Sequence, residues 1–157
     1  DRLFGGAGDD TLKATAGGGD NRLYGGAGDD DFILGSNDRL LGNEGSDRFF
    51  TLAGGDNLIT GGLGADQFWI ANAEIPSSSN VITDFTSGED SIGLGGFQEL
   101  TFSDLTITQE DSNTIISLGA DTELVDDNTP LAELLGVQAN SLTENDFTFA
   151  GEAIISS

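Results

Sequence analysis

The chain has 157 residues, of which 28 are Asp or Glu and 5 are Lys or Arg, giving a formal net charge of −23, and it contains no His, Cys or Met. This composition excludes a thiol nucleophile, a disulfide framework, a zinc or haem ligand set and any Ser-His-Asp or Cys-His relay; the acidic excess also repels nucleic-acid phosphates and anionic lipid. At 36% hydrophobic residues the chain can bury one or at most two modest cores, and no stretch approaches the roughly 18 consecutive apolar residues of a membrane span.

Residues 1–48 hold all five basic residues (Arg2, Lys13, Arg22, Arg39, Arg48) against 10 acidic ones, whereas residues 49–157 hold 18 acidic residues and no base. Seventeen of the 24 glycines lie in residues 1–69. That density alone would suit a disordered linker, because glycine loses the most backbone entropy on ordering. Periodicity argues otherwise. The segment Gly5-Gly6-Ala7-Gly8-Asp9-Asp10-Thr11-Leu12-Lys13 returns as Gly25-Gly26-Ala27-Gly28-Asp29-Asp30-Asp31-Phe32-Ile33, as Gly42-Asn43-Glu44-Gly45-Ser46-Asp47-Arg48-Phe49-Phe50 and as Gly61-Gly62-Leu63-Gly64-Ala65-Asp66-Gln67-Phe68-Trp69. Weaker copies between them end in Gly19-Asp20-Asn21-Arg22-Leu23-Tyr24, Ser36-Asn37-Asp38-Arg39-Leu40-Leu41 and Gly55-Asp56-Asn57-Leu58-Ile59-Thr60, and an eighth survives as Asp1-Arg2-Leu3-Phe4.

Two places of this nonapeptide carry the physics. Place six reads Asp1, Asp10, Asn21, Asp30, Asp38, Asp47, Asn57, Asp66; place eight reads Leu3, Leu12, Leu23, Phe32, Leu40, Phe49, Ile59, Phe68. A polar residue ending a glycine-rich turn and a single apolar residue two positions later describe a tight turn and a short strand with one side chain entering a thin core. Places seven and nine should face water, and Arg2, Arg22, Arg39 and Arg48 all occupy place seven.

Over residues 1–69 the sequence resembles the RTX proteins, whose calcium-binding nonapeptides form a parallel β-helix. The resemblance implies a β-roll in which six residues form a turn, three form a strand, and two repeats complete one coil. Calcium takes roughly six to eight oxygen ligands from carboxylates and backbone carbonyls, and glycine-rich turns ending in Asp offer both. Stacked turns lie about 4.8 Å apart, so one ion can sit between two turns. The resemblance assigns the place-six Asp as ligand to ions above and below, with carbonyls of places one and three serving one ion and those of two and four the other. Alternate repeats stack on one side, so Asp10, Asp30, Asp47 and Asp66 form a strict column. With them come the turn residues Gly6, Gly8, Gly25, Gly26, Ala27, Gly28, Gly42, Glu44, Gly45, Gly61, Gly62, Leu63 and Gly64. Three ions are expected, between Asp10 and Asp30, Asp30 and Asp47, and Asp47 and Asp66. The opposite, degenerate column (Asp1, Asn21, Asp38, Asn57) should hold fewer or weaker ions, its Arg2, Arg22 and Arg39 stacking as a cationic ladder that partly neutralises carboxylates. Without metal, repulsion between stacked carboxylates and one apolar residue per nine cannot offset the ordering entropy, so folding should be coupled to calcium.

From Ile70 the repeat stops. Residues 71–80, with Pro76 and Ser77-Ser78-Ser79, suggest a surface loop. Beyond it Val81–Phe85, Ser91–Leu94, Leu105–Thr108 and Thr114–Leu118 are β-rich, the last two forming a hairpin through residues 110–113. Pro130–Leu135, after Asn128-Thr129 and before Gly136, gives a short helix signal. Residues 80–94 look like the stretch that follows the roll in RTX proteins, and residues 131–150 are similar to the tails of cyanobacterial secreted members. Asp84 and Asp90 are candidates for a further ion, with loop capping as the alternative. Such proteins carry an uncleaved export signal near the C-terminus, for which Asp146-Phe147-Thr148-Phe149 is the candidate. The expected architecture is therefore all-β: a parallel β-roll over residues 1–69, and over residues 70–157 a mostly-β cap with a short helix that covers the end of the solenoid and carries the export signal. Because Asp1 begins at place six, a turn is expected to precede it in a longer protein.

Two functions fit this reading. The first is a non-enzymatic calcium-binding module of a secreted or cell-surface protein; the second is the C-terminal folding and secretion module of an enzyme whose catalytic domain lies upstream. Expected partners are calcium ions, the type I secretion channel during export, and other copies or a cell-surface matrix, with no nucleic acid and no membrane span. Catalysis by the chain itself rests only on carboxylate pairs that could imitate a glycosidase, and Trp69 is its sole tryptophan. A flat outward row of Thr, as an ice-binding face requires, is absent from place seven.

Overall fold

A computed structural model describes residues 1–16, 18–119 and 129–155. Polar-apolar-polar triplets after each turn become short strands that alternate between two sheets. β1 (Arg2–Ala7), β3 (Arg22–Ala27), β5 (Arg39–Glu44), β7 (Leu58–Leu63) and β9 (Asn80–Ile82) run in one sheet; β2 (Thr11–Lys13), β4 (Asp31–Leu34), β6 (Arg48–Thr51), β8 (Gln67–Asn72) and β10 (Ser91–Gly95) run in the other. Within each sheet neighbouring strands of this set are parallel. Both sheets thus pass without a break from the glycine-rich repeats into the residues beyond Ile70. Among the described residues no helix is long and apolar enough to cross a membrane.

Register follows the place-eight column. Leu3, Leu23, Leu40, Ile59 and Ile82 stand in line on the first sheet, and Leu12, Phe32, Phe49, Phe68 and Ile92 on the second. These two rows meet as one core. Phe32, Phe49 and Phe68 are fully buried or nearly so and stack with centroids 4.7 and 5.2 Å apart, close to the spacing of successive strands.

Place seven is solvent-facing, but place nine departs from expectation on the second sheet. Ile33, Phe50 and Trp69 are buried there, whereas Phe4 on the first sheet is 69% exposed. The outer row shields itself: Phe50 stacks on Trp69 at 6.3 Å, the Arg48 guanidinium lies 5.6 Å from the Phe50 centroid, and the indole spreads over the bare backbone of Gly93.

The cap closes the far end. β11 (Leu105–Glu110) and β12 (Asn113–Leu118) form the expected hairpin, and β12 pairs antiparallel with β13 (Pro130–Leu134), which lies parallel to β9. The helix expected at Pro130–Leu135 is therefore a strand. Leu131 and Leu134 have helical spacing, yet pairing on both edges wins, and Pro130 is tolerated as the strand's first residue because it gives up only one ladder donor. Asn128 lies outside the described residues. Among the described residues the helical content of the cap consists of single 3-10 turns at Phe102–Asp104, Ala139–Ser141 and Glu144–Asp146. β14 (Phe147–Ala150) returns to pair with β10, and Ile116, Leu118, Leu131, Leu134 and Phe147 continue the roll's core.

Candidate metal centre

The strict turns need glycine for two separate reasons. At places two and four the backbone is left-handed, as at Gly26 (φ 123°) and Gly28 (φ 127°), a region costly for side chains; in the third copy Asn43 takes place two with φ 84°. At place one the reason is space. A Cβ on Gly5 would stand 2.7 Å from both Asp10 Oδ2 and the Gly25 carbonyl oxygen, and one on Gly25 or Gly42 would collide with Asp30 Oδ2 and the Gly42 carbonyl, or with Asp47 Oδ2 and the Gly61 carbonyl. Each cradle is thus lined by a carboxylate oxygen of its own turn and a carbonyl oxygen of the next.

The aspartates stack as the repeat requires. Asp10 N–H donates to Asp30 Oδ1 (2.8 Å), Asp30 N–H to Asp47 Oδ1 (2.8 Å), Asp47 N–H to Asp66 Oδ1 (2.9 Å) and Asp66 N–H to Asp90 Oδ1 (3.0 Å). Place-three carbonyls tie the same turns together, with Gly8 N–H on Ala27 O, Gly28 N–H on Glu44 O and Gly45 N–H on Leu63 O. Oδ1 is therefore engaged, while Oδ2 of Asp30 and Asp47 is buried with no hydrogen-bond partner. An unpartnered buried carboxylate oxygen is costly. Burial raises the pKa of Asp30 and Asp90 and lifts Asp47 to about 6 and Asp66 to about 7, against the opposing pull of the backbone N–H bonds, with nearby carboxylates adding to the rise.

These residues fit a hard cation. Among the described residues no group of three or more acidic side chains forms a metal-ligand set, so an ion between two turns would draw on at most two carboxylates and complete its shell from carbonyls. An all-oxygen set of that kind suits calcium.

The opposite column is built alike but wired differently. Asn21 N–H and Nδ2 both donate to Asp38 Oδ1 (3.0 and 2.9 Å), Asp38 N–H donates to Asn57 Oδ1 (2.9 Å), and Asn57 N–H and Nδ2 donate to Asn80 Oδ1 (3.2 and 2.8 Å), with Asn57 Nδ2 also reaching the Gly35 carbonyl (3.0 Å). Amide donors here add second bonds to Oδ1 of Asp38 and of Asn80, while Asp38 Oδ2 and Asn80 Nδ2 stay buried without a partner.

Asp84 takes the N–H groups of Gly61 and Gly62, each at 2.9 Å, and Asp90 Oδ2 takes Thr86 N–H at 2.8 Å, so both brace backbone. The cationic ladder is in register, Arg2 beside Arg22 and Arg22 beside Arg39, but it neutralises no carboxylate: among the described residues the sole ion pair is Arg48–Asp31 at 2.6 Å. The rungs at Asn80 and Asp90 extend both columns past the glycine-rich repeats. Their signal was the bare triplet: Asn80-Val81-Ile82 follows Asn57-Leu58-Ile59, and Asp90-Ser91-Ile92 follows Asp66-Gln67-Phe68.

A family model described as the RTX calcium-binding nonapeptide repeat (4 copies) matches residues 1–31, 14–36, 34–56 and 49–69. The repeat region thus belongs to the RTX calcium-binding repeats. In structure the chain is similar to the AlgE6R2 subunit of the mannuronan C5-epimerase of Azotobacter vinelandii, at 24% identity over 99% of this chain and 96% of that one, with a TM-score of 0.52. The AlgE6R3 subunit of the same organism's epimerase matches at 23% identity over 98% and 89%, with a TM-score of 0.46. No curated protein matches the chain significantly. RTX repeats folded as a β-roll make this a calcium-binding structural module.

Proposed function

We propose that the chain is a calcium-stabilised structural module of a secreted or cell-surface protein, with residues 1–69 as the metal-binding roll and residues 70–157 as cap and export region. Three ions are assigned to the strict column, between Asp10 and Asp30, Asp30 and Asp47, and Asp47 and Asp66. The observation that carries this reading is the pair of buried, unpartnered Oδ2 atoms on Asp30 and Asp47, each beside a glycine cradle lined by a carbonyl oxygen. Bound calcium supplies positive charge to a stack of carboxylates that otherwise repel one another. Asp30, Asp47, Asp66 and Asp90 hold the register by accepting the backbone N–H of the preceding rung, from Asp10 to Asp66, on Oδ1, and the turn backbone from Gly6 to Gly8, Gly25 to Gly28, Gly42 to Gly45 and Gly61 to Gly64 presents carbonyls. Asp90 adds a fifth strict rung, next to Asp66. The degenerate column holds fewer ions because Asn21, Asn57 and Asn80 are neutral and leave Asp38 as its one buried carboxylate.

Folding coupled to calcium suits export through a type I channel: the chain passes unfolded at low calcium and orders outside. Asp146-Phe147-Thr148-Phe149 serves as the export segment before it docks as β14; other copies and the surface matrix are partners after release. A second reading places the module behind an exported enzyme, and the named subunits of an epimerase favour it; a catalytic domain encoded upstream of Asp1 would decide for it. The test of the calcium reading is the ion count by native mass spectrometry: Asp30→Ala should lose two ions together, and an unchanged count would overturn the shared-ligand column.

A further inference from the structure

Three of the chain's five basic residues gather in one place. Arg2, Arg22 and Arg39 project from the outer face of the first sheet on adjacent strands in register, exposed to solvent and without a carboxylate partner. Like charges directly opposite on neighbouring strands destabilise a sheet, so folding alone gives no reason for this row. Two positions along, Phe4, Tyr24 and Leu41 form a second outer row in the same register; Phe4 and Tyr24 stack at 4.8 Å with 7° between their planes, and Phe4 is 69% exposed. Between the rows runs an open trough of about 280 Å³ bounded by Arg22, Tyr24, Arg39, Leu41, Leu58 and Thr60. In a chain with 28 acidic residues, none lines it.

We propose that this trough on the outer face of the first sheet binds an extended carboxylated glycan, a chain of uronic-acid residues. A guanidinium recurs on each of three successive strands, about 4.8 Å apart, and a linked pyranose chain advances by a similar distance per ring, so a glycan laid across the strands meets cations in series. Guanidinium matches carboxylate geometry with paired hydrogen bonds. Phe4 and Tyr24 cover each other's facing sides, and the apolar surface they leave open, chiefly on Phe4, gives the apolar face of a sugar ring a place to rest beside the cations. A shallow, open, repeating groove suits a polymer better than a compact small molecule, which would need a concave pocket. The site lies apart from the strict turn column and does not depend on where calcium binds.

The test uses the folded full chain, verified by circular dichroism under the same calcium and salt conditions, titrated with a short uronic-acid oligomer too small to gel. Controls are a neutral oligosaccharide of equal length, a single-stranded oligonucleotide, and sedimentation of the protein alone. Expected are binding of the uronate, none of the neutral sugar, amide shifts centred on Arg22, Tyr24 and Arg39, and affinity falling about tenfold or more in Arg22→Gln and again in Arg39→Gln. Tyr24→Ala should weaken binding while leaving its salt dependence unchanged. No uronate binding by wild type, shifts elsewhere on the surface, equal affinity for the oligonucleotide, or self-association abolished by Arg22→Gln without glycan binding would each overturn the proposal. The wild-type shift map stands even if a variant fails to fold.

Discussion

The two turn columns share one backbone plan and differ in a single functional group. On the strict side, place six is Asp at every rung from Asp10 to Asp90; each carboxylate binds the rung before it through Oδ1, and Asp30 and Asp47 leave Oδ2 buried and bare. On the degenerate side, Asn21, Asn57 and Asn80 are neutral, the amides of Asn21 and Asn57 donate within the stack, and Asp38 is the one buried carboxylate, with its Oδ2 bare. An amide carries donor and acceptor together, whereas an ionised carboxylate only accepts. A carboxylate ladder therefore needs an outside source of positive charge, and an amide ladder does not.

Substitutions at place six should separate the columns most sharply. Asp47→Ala removes a ligand shared by two assigned sites; at a calcium concentration a hundredfold above each dissociation constant the loss is about 5 kcal/mol, read as a fall in melting point that vanishes in chelator. Asn57→Ala, which removes donors to Gly35 and Asn80 and the acceptor for Asp38 N–H, should cost about 1–3 kcal/mol with or without calcium. Equal calcium dependence of the two variants would erase the distinction.

Glycine positions sharpen the same contrast. A methyl on Gly42 would strike Asp47 Oδ2 and the Gly61 carbonyl, so Gly42→Ala should destabilise by about 1–3 kcal/mol through overpacking and lower the ion count. Gly18, in a degenerate turn, has nothing within 4 Å of such a methyl; Gly18→Ala should stay within about 0.5 kcal/mol of wild type in denaturant melts.

Acidity acts on the strict column. Asp47 and Asp66, lifted by burial to about 6 and about 7 from 3.8, keep protons in the folded chain that the unfolded chain has released. In chelator this contribution is fully present below about pH 4 and is lost as pH rises through 6 and 7, so whatever sheet signal the metal-free chain keeps in acid should fall across that window. Calcium needs the deprotonated form, so its apparent affinity should rise over the same range. A metal-free sheet signal that climbs from pH 5 to pH 8 would contradict the assignment. The smallest effect belongs to Arg48→Gln, which breaks an exposed ion pair with Asp31 and should cost at most about 1 kcal/mol, halved or less by molar salt.

Much of this was legible because a solenoid writes its contacts at fixed intervals. Place eight named the core row from Leu3 to Phe68, place six named both columns, and alternation of strict and weak copies assigned each to its side. What stayed hidden lay where the interval changed. Asp66 to Asp90 and Asn57 to Asn80 span more residues than any earlier step, with the glycine turn replaced by loops, so only the triplet remained to mark a rung. Burial of Ile33, Phe50 and Trp69 depends on packing along the outer face, which strand alternation alone does not report. Pro130–Leu134 carried helical spacing, but both its edges are claimed by strands that are distant in sequence.

The most direct measurement is circular dichroism of the purified chain titrated with calcium after exhaustive chelation. The account predicts a cooperative gain of β-signal at roughly 0.1–1 mM calcium and none with magnesium, which demands stricter octahedral geometry and gives up its water reluctantly. A chelator-stripped chain that keeps its full sheet signal and melting point would contradict it.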